Sequence, residues 1–236
     1  MDLKEQILRY SYENQATHIP SALSQVDYID YLFTNKLVVP YRDKIVIGKV
    51  YGAQSYLLVW KKLGYLDNIE EIKFIKSEDI PFVDFGEYTL GNGLGVATGI
   101  ALACPEQLVW VNITDGALQT GNTLEAIQFI GHNKIKNIML TVDYNGGQVT
   151  GRTEDILTVE PVIGFLKAYG WEVYDSDLSE FSVTDKPKVF IMRNPKGKGV
   201  KSMEENIRKW HYKKIDSYEE LEFLVKELKE YETDLT

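Results

Sequence analysis

The sequence predicts a three-layer α/β fold in which helices cover both faces of a parallel sheet. Apolar strand-like runs alternate with helical segments along the whole chain, as is typical of parallel sheets whose strands are joined by crossover helices. The 236 residues are enough to bury a substantial core, and no repeat, low-complexity tract or linker divides them. We therefore expect one domain that spans residues 1–236.

Strands are expected where short apolar runs end at turn residues, and helices where apolar residues recur at helical spacing. Only about a dozen residues separate the last two expected strands, which leaves little room for a crossover helix. In chain order, we expect a helix at 22–35, a strand at 44–48, helices at 53–63 and 94–103, a strand at 108–113, a helix at 121–133, a strand at 137–142, a helix at 162–169, and strands at 171–174 and 188–192.

A final helix is expected at 217–231, and we interpret it as a packing or partner surface rather than a part of an active site. Ser217 and Glu220 form a capping-box signature at its start. One face of the helix then carries an apolar stripe made by Leu221, Leu224, Val225 and Leu228.

The composition of the chain excludes several classes of partner and of cellular location. A net charge of −9 argues against nucleic acid or an anionic membrane as a general partner. The single cysteine, Cys104, excludes an internal disulfide framework and suits a reducing compartment. No apolar run reaches the length of a membrane span, and residues 1–14 are too polar for a signal peptide. We therefore expect a cytoplasmic protein.

The most informative residues are Asp115, Gly116 and Asn145, because each follows an expected strand. Parallel strands end at the same edge of a sheet, so these residues should lie together although thirty positions separate Asp115 from Asn145. Carboxylate and amide oxygens suit Mg²⁺, which also takes phosphate oxygens and water as ligands. Gly116 should open a helix whose free N–H groups favour a phosphate. The pattern predicts a metal-bridged diphosphate site.

Simpler interpretations exist for single residues. Asp115 could cap a helix, and Asn145 could form a turn. His132 is best interpreted as a cation or donor near helix C-terminal carbonyls, and Cys104 as a small residue near the end of an apolar helix. Only the joint spacing of Asp115 and Asn145 favours a metal site.

This spacing resembles the thiamine diphosphate fingerprint, in which an Asp-Gly pair is followed about thirty residues later by an Asn-containing turn. The wider sequence resembles the transketolase family from about Thr17 to His211. Four further segments carry the resemblance: THIPSALS at 17–24, DKIVIGKVYGAQ at 43–54, TLGNGLGVATGIALA at 89–103, and GKGVKSMEEN with its following Trp-His at 197–211.

The resemblance implies the thiamine diphosphate-binding fold and names the cofactor as thiamine diphosphate with Mg²⁺, or with Ca²⁺ in its place. The metal ligands would be Asp115, Asn145 and the backbone carbonyl of Gly147. The family's first glycine is replaced here by Thr114, a change that fits only if its φ angle is negative. Gly116 would contact the diphosphate.

The resemblance also implies catalytic roles for His18 and His211, which would hydrogen-bond a developing oxyanion and relay protons. His211 would contact the diphosphate as well. A lone histidine is more often a surface or core residue, so both roles depend on the family pattern. Leu90 would pack against the cofactor rings, with ordinary core packing as the alternative.

Glu125 resembles the family's glutamate at the interface between subunits, and its alternative role is a solvated position on a helix. Its usual acidic companion is replaced by Thr120.

Two departures from the family concern the substrate. The family's histidine beside the cofactor is replaced by Tyr51, which can donate one hydrogen bond but carries no positive charge. The segment 66–89 contains no histidine, whereas the family places one there to hold the donor's terminal hydroxyl. We therefore expect a weakened grip on ketose phosphate donors.

The family pattern also includes a second domain, which cradles the aminopyrimidine and supplies an activating glutamate. Only 25 residues follow His211, too few for that domain. The resemblance therefore implies a split enzyme with a separate subunit that carries the pyrimidine-binding domain, in an α₂β₂ assembly.

The expected function is transfer of a two-carbon ketol or acyl unit from a small-molecule donor to an aldehyde or ketone acceptor. The alternatives are a noncatalytic interaction subunit that retains the cofactor, and a 2-oxoacid dehydrogenase-like alpha subunit. The segments DYNGGQVTG and YGWEV favour transketolase over the dehydrogenase.

Overall fold

The computed structural model describes residues 2–70, 72 and 74–234. All ten expected strands and helices within the predicted domain are present, with bounds within three residues of the expectation. The elements are α1 (Leu3–Glu13), α2 (Ile19–Thr34), β1 (Lys44–Ile47), α3 (Ala53–Lys62), β2 (Phe85–Gly86), α4 (Gly93–Ala103), β3 (Val109–Thr114), α5 (Gly121–Asn133), β4 (Ile138–Tyr144), α6 (Thr153–Ile156), α7 (Glu160–Ala168), β5 (Glu172–Asp175), β6 (Lys188–Arg193), α8 (Lys201–Glu205), α9 (Ile207–Trp210) and α10 (Tyr218–Asp234).

The six strands form one parallel sheet in the order β2-β1-β3-β4-β6-β5. Strands β3 and β4 are central and buried along their whole length, as expected for strands covered on both faces. Five elements were not predicted from the sequence, namely β2, α1 and the short helices α6, α8 and α9. Strand β2 has only two residues and no detectable period, and α1 is a mostly polar helix whose buried face is small.

Alternate residues of the strands enter two separate hydrophobic cores, which confirms the three-layer architecture. On one face, Ile45 and Ile47 of β1 pack with residues of α1, α2, α3 and α10. On the other face, Val46 packs with residues of α4, α5 and α7. The sheet is therefore covered by helices on both sides.

Helix α10 packs against α1, and its buried residues are the predicted stripe of Leu221, Leu224, Val225 and Leu228. The predicted capping box is half formed. Ser217 Oγ accepts a hydrogen bond from the Glu220 backbone N–H (3.1 Å), whereas the Glu220 carboxylate accepts from the Asp216 N–H instead. Among the described residues, no helix combines the length and apolar character needed to cross a membrane.

The parallel neighbours β5 and β6 are joined by residues 176–187, which contain no helix. This confirms the prediction of a trimmed connection. Leu178 and Phe181 are buried, and the Phe181 ring lies 5.0 Å from that of Phe190 on β6. Apolar contacts with the sheet therefore hold a connection that lacks a helix.

Chain direction across the sheet reverses between β1 and β3. The chain passes from β1 outward to β2, then returns to the opposite side of β1 to form β3 and β4. Such a reversal opens a crevice beyond the carboxyl ends of the strands, where ligands of parallel α/β sheets bind. The segments that follow β1, β3 and β4 meet at this crevice.

Candidate cofactor and active site

Asp115 follows β3 and Asn145 follows β4, and the two loops are joined directly. The fully buried Asp115 accepts a hydrogen bond at Oδ2 from the backbone N–H of Gly146 (2.9 Å). The residues that sequence spacing predicted to meet therefore lie side by side at the carboxyl edge of the sheet.

Four donors fix the Asp115 carboxylate. The Thr114 hydroxyl and the Gly116 N–H donate to Oδ1, each at 2.8 Å, and the Thr153 hydroxyl donates to Oδ2 at 2.8 Å in addition to Gly146. Burial nevertheless raises the pKa of Asp115, the nearby charge of Asp143 raises it further, and the threonine hydrogen bonds oppose both. A nearby cation would stabilise the charged form of such a buried carboxylate.

One local prediction was wrong. Gly116 does not open an α-helix, because Asp115–Gln119 form a short 3₁₀ segment and α5 begins only at Gly121. Thr114 has φ −110°, so the residue that replaces the family glycine adopts ordinary extended backbone, as its side chain requires.

Asn145 and Gly147 form the second half of the site. Asn145 Oδ1 accepts from the Gly147 N–H (3.0 Å), so the turn expected of a lone asparagine is also present. The Asn145 amide nitrogen donates to Asp143 Oδ2 (2.7 Å). The Gly147 carbonyl accepts from the Lys196 ammonium (2.8 Å), so Lys196 lies directly beside this oxygen.

Two buried lysines, Lys49 and Lys196, face the same cavity, and neither was predicted from the sequence. Lys49 forms an ion pair with Asp143 (2.6 Å). Burial and the charge of Lys49 together lower the pKa of Lys196 to about 8, against the opposing effect of Asp115 and Asp143. The one sequence signal was the position of Lys49 in DKIVIGKVYGAQ at 43–54, one of the segments that carry the family resemblance. Two buried ammonium groups make the cavity suitable for an anion with several charges.

His18 and His211 lie together at the mouth of the cavity, with ring centroids 4.9 Å apart. Burial lowers the pKa of His18 to about 3 and that of His211 to about 4, and the positive charges of Lys196 and Lys49 add to both shifts. Both imidazoles are therefore neutral near pH 7. Because the Lys196 ammonium can only donate, its contact with His211 Nδ1 (3.3 Å) places the imidazole proton on Nε2.

Two tyrosines surround these histidines. Tyr51 stacks on His18 (4.6 Å between ring centroids), and Tyr212 meets His18 and His211 edge-on at 5.2 and 4.6 Å. Tyr212 was not predicted from the sequence. Tyr51, which replaces the family's histidine, is thus one of the aromatic side chains packed around His18.

His18, Tyr51 and Tyr212 line one cavity of about 430 Å³ together with most of the predicted site, although Asp115 and Glu125 are not among its lining residues. A second cavity of about 320 Å³ lies on the other side of His18 and Tyr51. The predicted residues that line the first cavity are His18, Tyr51, Leu90, Gly116, Asn145, Gly147 and His211, joined by Ser21, Lys49, Thr114, Gln148, Val149, Thr150, Lys196 and Tyr212.

Glu125 lies elsewhere. It is exposed on α5, in a groove between α4 and α5 that also contains Gly95 and Phe129. Within this chain the structure does not bring Glu125 to the histidines, and its role at a subunit interface stays a prediction. Thr120, which replaces the acidic companion, donates instead to Ala117 O (2.7 Å). His132 is exposed in the last turn of α5, as expected.

The residues present fit a metal-bound diphosphate. Within the described residues, no three carboxylate, imidazole or thiol side chains form a metal-binding group. Asp115, Asn145 and Gly147 instead offer a carboxylate, an amide oxygen and a backbone carbonyl, a set of hard oxygen donors that suits Mg²⁺ with phosphate and water. Lys49 and Lys196 supply positive charge on the same side.

Comparison with known proteins agrees with this geometry. The family model described as "Transketolase, thiamine diphosphate binding domain" matches residues 99–186, which include Asp115, Asn145 and Gly147. This chain is similar to transketolases in the matched region and to curated transketolase subunits along most of its length.

Two curated transketolase relatives match along most of their length, and each is named as one subunit of an apulose-4-phosphate transketolase. The subunit from Phocaeicola vulgatus is 25% identical over 96% of this chain and 91% of its own. The subunit of the same name from Actinobacillus succinogenes is 29% identical over 90% of this chain and 88% of its own.

A solved transketolase shares the fold. The transketolase of Campylobacter jejuni superposes with a TM-score of 0.71 at 20% identity over 95% of this chain. This chain spans only 42% of the length of that transketolase.

Proposed function

We propose that this chain is the diphosphate- and metal-binding subunit of a split, thiamine diphosphate-dependent transketolase-like enzyme. It would transfer a two-carbon ketol or acyl unit from a ketose or 2-oxo donor to an aldehyde or ketone acceptor. One observation carries the proposal: Asn145, Gly147 and two buried lysines line a single cavity together with two neutral imidazoles, and Asp115 is hydrogen-bonded to the loop that carries Asn145.

Each group in the cavity has a distinct binding role. Asp115, Asn145 and the Gly147 carbonyl would hold Mg²⁺, and Lys49 and Lys196 would neutralise the remaining charge of the diphosphate. The bound cofactor supplies carbanion chemistry that no protein side chain provides. The contribution of the chain is therefore placement and charge.

His18 and His211 would act on the substrate. Because burial and the neighbouring lysines keep both imidazoles neutral, each ring nitrogen that carries a proton can donate to an oxyanion, and each bare nitrogen can accept a proton. The Nε2–H of His211 is available for donation, since its Nδ1 accepts from Lys196. Tyr51 and Tyr212 hold His18 from two sides.

A partner subunit would complete the site, most simply in an α₂β₂ assembly. Both curated relatives are named as one subunit of their enzyme, which supports a second polypeptide. Exposed apolar side chains also surround the cavity on this chain. Leu90 and Val149 are 39% and 49% exposed at its rim, and Ile156 and Leu157 are 44% and 56% exposed nearby along the chain. These side chains suit burial against a pyrimidine-binding domain.

The test is activity by reconstitution. We expect the purified chain to show no ketol transfer alone, and to gain it when mixed with a subunit that carries a transketolase-like pyrimidine-binding domain, thiamine diphosphate and Mg²⁺. Turnover by the chain alone at rates typical of enzymes, on the order of 1 to 1000 per second, would refute the split site. Cofactor binding without turnover in the complex would instead favour a noncatalytic subunit.

A further inference from the structure

Asp143 is a buried carboxylate directly behind the proposed metal site, and no role for it follows from the fingerprint residues. It lies on β4, two residues before Asn145, and is fully buried. Its Oδ2 accepts from Ser24 Oγ (3.0 Å), Lys49 Nζ (2.6 Å) and Asn145 Nδ2 (2.7 Å). Its Oδ1 has no hydrogen-bond partner within the described part of the chain. Burial of a carboxylate oxygen without a hydrogen-bond partner is unfavourable, so the presence of Asp143 here calls for an explanation.

The charge of Asp143 dictates which end of the Asn145 amide faces it. An ionised carboxylate only accepts hydrogen bonds, so it must face the Asn145 NH₂ group and not the carbonyl oxygen. The amide oxygen then points the other way, where it accepts from the Gly147 N–H (3.0 Å) beside the cavity. A flipped amide would set its oxygen against a buried carboxylate and leave two donors without an acceptor.

We propose that Asp143 is a positioning residue whose negative charge fixes the Asn145 amide oxygen toward the metal site and anchors Lys49 beside it. This inference rests on the proposed function, because Asn145 matters here as a metal ligand. Lys49 lines the cavity with a side chain only 5% exposed, and Asp143 is its one ion-pair partner among the described residues. One carboxylate thus orients a neutral ligand for the cation and a cationic group for the diphosphate.

The substitution Asp143→Asn separates charge from shape. The asparagine amide keeps the size of the carboxylate but can offer either an oxygen or an NH₂ group to Asn145, so the flipped orientation of Asn145 is no longer opposed by a buried negative charge. Only one of the two orientations presents an oxygen to the metal. Removal of groups that orient metal ligands typically costs about ten- to a hundred-fold in metal affinity, and we expect a loss in that range for Mg²⁺.

The experiment is titration calorimetry of Mg²⁺, then thiamine diphosphate, on the full chain in complex with its partner subunit. Thr141→Val is the matched control, because Thr141 is a buried polar residue on the same strand whose hydroxyl bonds Val111 O and Asn112 Oδ1 and does not line the cavity. Unfolding by denaturant without cofactor measures the stability of each variant. We expect both variants to lose stability and only Asp143→Asn to lose Mg²⁺ affinity.

A reciprocal swap provides the rescue. In Asp143→Asn/Asn145→Asp, the new carboxylate at position 145 has two equivalent oxygens and accepts from the amide at position 143, so orientation no longer matters. We expect the swap to recover most of the lost Mg²⁺ affinity. Unchanged affinity in Asp143→Asn, or a stable swap that recovers none, would overturn the positioning role. If the unaltered complex fails to bind Mg²⁺ and thiamine diphosphate, the proposed function itself fails.

Discussion

At the residue scale, Asp115 is a buried carboxylate that accepts hydrogen bonds but forms no direct ion pair within the described residues. Four hydrogen bonds fix both oxygens, yet burial still raises the pKa of the group. A divalent cation beside Asp115 would lower that pKa again, because it favours the charged form. The geometry of Asp115 is thus set before any cation arrives.

We predict that Asp115→Ala abolishes Mg²⁺-dependent binding of thiamine diphosphate, since loss of the only charged ligand leaves the diphosphate poorly neutralised. Titration calorimetry on the assembled complex measures this. Asp155→Ala is the control, because Asp155 is an exposed carboxylate of α6, whereas Asp115 is fully buried and hydrogen-bonded to the loop that carries Asn145. Unchanged cofactor affinity in the Asp115 variant would contradict the metal site.

The two buried histidines predict how stability depends on pH. An unfolded histidine binds a proton near pH 6.5, whereas folded His18 and His211 do so only near pH 3 and 4, so the unfolded state binds more protons between these values. Stability should therefore fall as pH drops from about 6.5 to about 4, by at most about 1.4 kcal/mol per pH unit for each histidine.

Denaturant unfolding of the chain across that pH range is the measurement, with His18→Gln and His211→Gln as test variants. Each substitution should flatten the slope between pH 6.5 and 4, because glutamine does not titrate. His132→Gln should leave the slope as it is, since His132 is exposed on α5. Equal slopes in all four proteins would show that other groups control acid stability.

Single residues differ in how far sequence could predict them. Asp115 and Asn145 were predicted because strand ends and a fixed spacing bring them together whatever the details of packing, whereas Gly147 came only from the resemblance to the transketolase family. Lys49 and Lys196 were not predicted, because lysine is ordinarily a surface residue and only the folded crevice shows that both are buried. Contacts made across the crevice leave no repeating pattern in the sequence from which they could be predicted.

At the scale of elements, α5 approaches the end of α7 so closely that only glycine fits. A Cβ atom at Gly131 would lie 2.0 Å from the carbonyl oxygen of Tyr169. Gly131→Ala should therefore force the two helices apart and lower the free energy of unfolding by roughly 1–3 kcal/mol, as overpacking typically does.

Gly164→Ala on α7 is the matched control. No atom lies within 4 Å of a Cβ atom at Gly164, and alanine in a helix interior is favoured over glycine by roughly 0.5–1 kcal/mol. Denaturant unfolding should thus move in opposite directions for the two variants. Destabilisation of similar size by both would mean that helix approach at Gly131 is not the cause.

Sequence patterns located the elements with a clear apolar pattern and missed the mostly polar helix α1 and several short elements for a physical reason. Strands β3 and β4 are continuous apolar runs, and α5 was predicted with its observed bounds. Strand β2 and the 3₁₀ segment at Asp115–Gln119 depend on tertiary contacts rather than on a repeating pattern. The wrongly placed helix start at Gly116 has the same origin.

At the scale of the whole molecule, the altered mouth of the cavity predicts donor preference. A site built to hydrogen-bond a hydroxyl strongly rejects analogues that lack it. Here Tyr51 stacks on His18 in place of a charged group, and 66–89 contains no histidine. We expect the assembled complex to use deoxy or pyruvate-like donors comparatively well and pentose phosphates poorly.

A donor panel that follows consumption of each compound by NMR tests this preference. Tyr51→His should shift preference back toward ketose phosphates, while Tyr51→Phe should not. Strong preference of the unaltered complex for xylulose 5-phosphate would mean that residues of the partner restore the ketose grip.

Both edges of the sheet are poor templates for another strand. At one edge β2 offers only Phe85–Gly86 for pairing. At the other, β5 is four residues long and begins and ends with Glu172 and Asp175, which form ion pairs with Lys186 and Arg193. Short and charged edges discourage strand addition and the aggregation that it brings. Contacts with a partner subunit, as proposed above, would therefore use exposed apolar side chains of helices and loops rather than extension of the sheet.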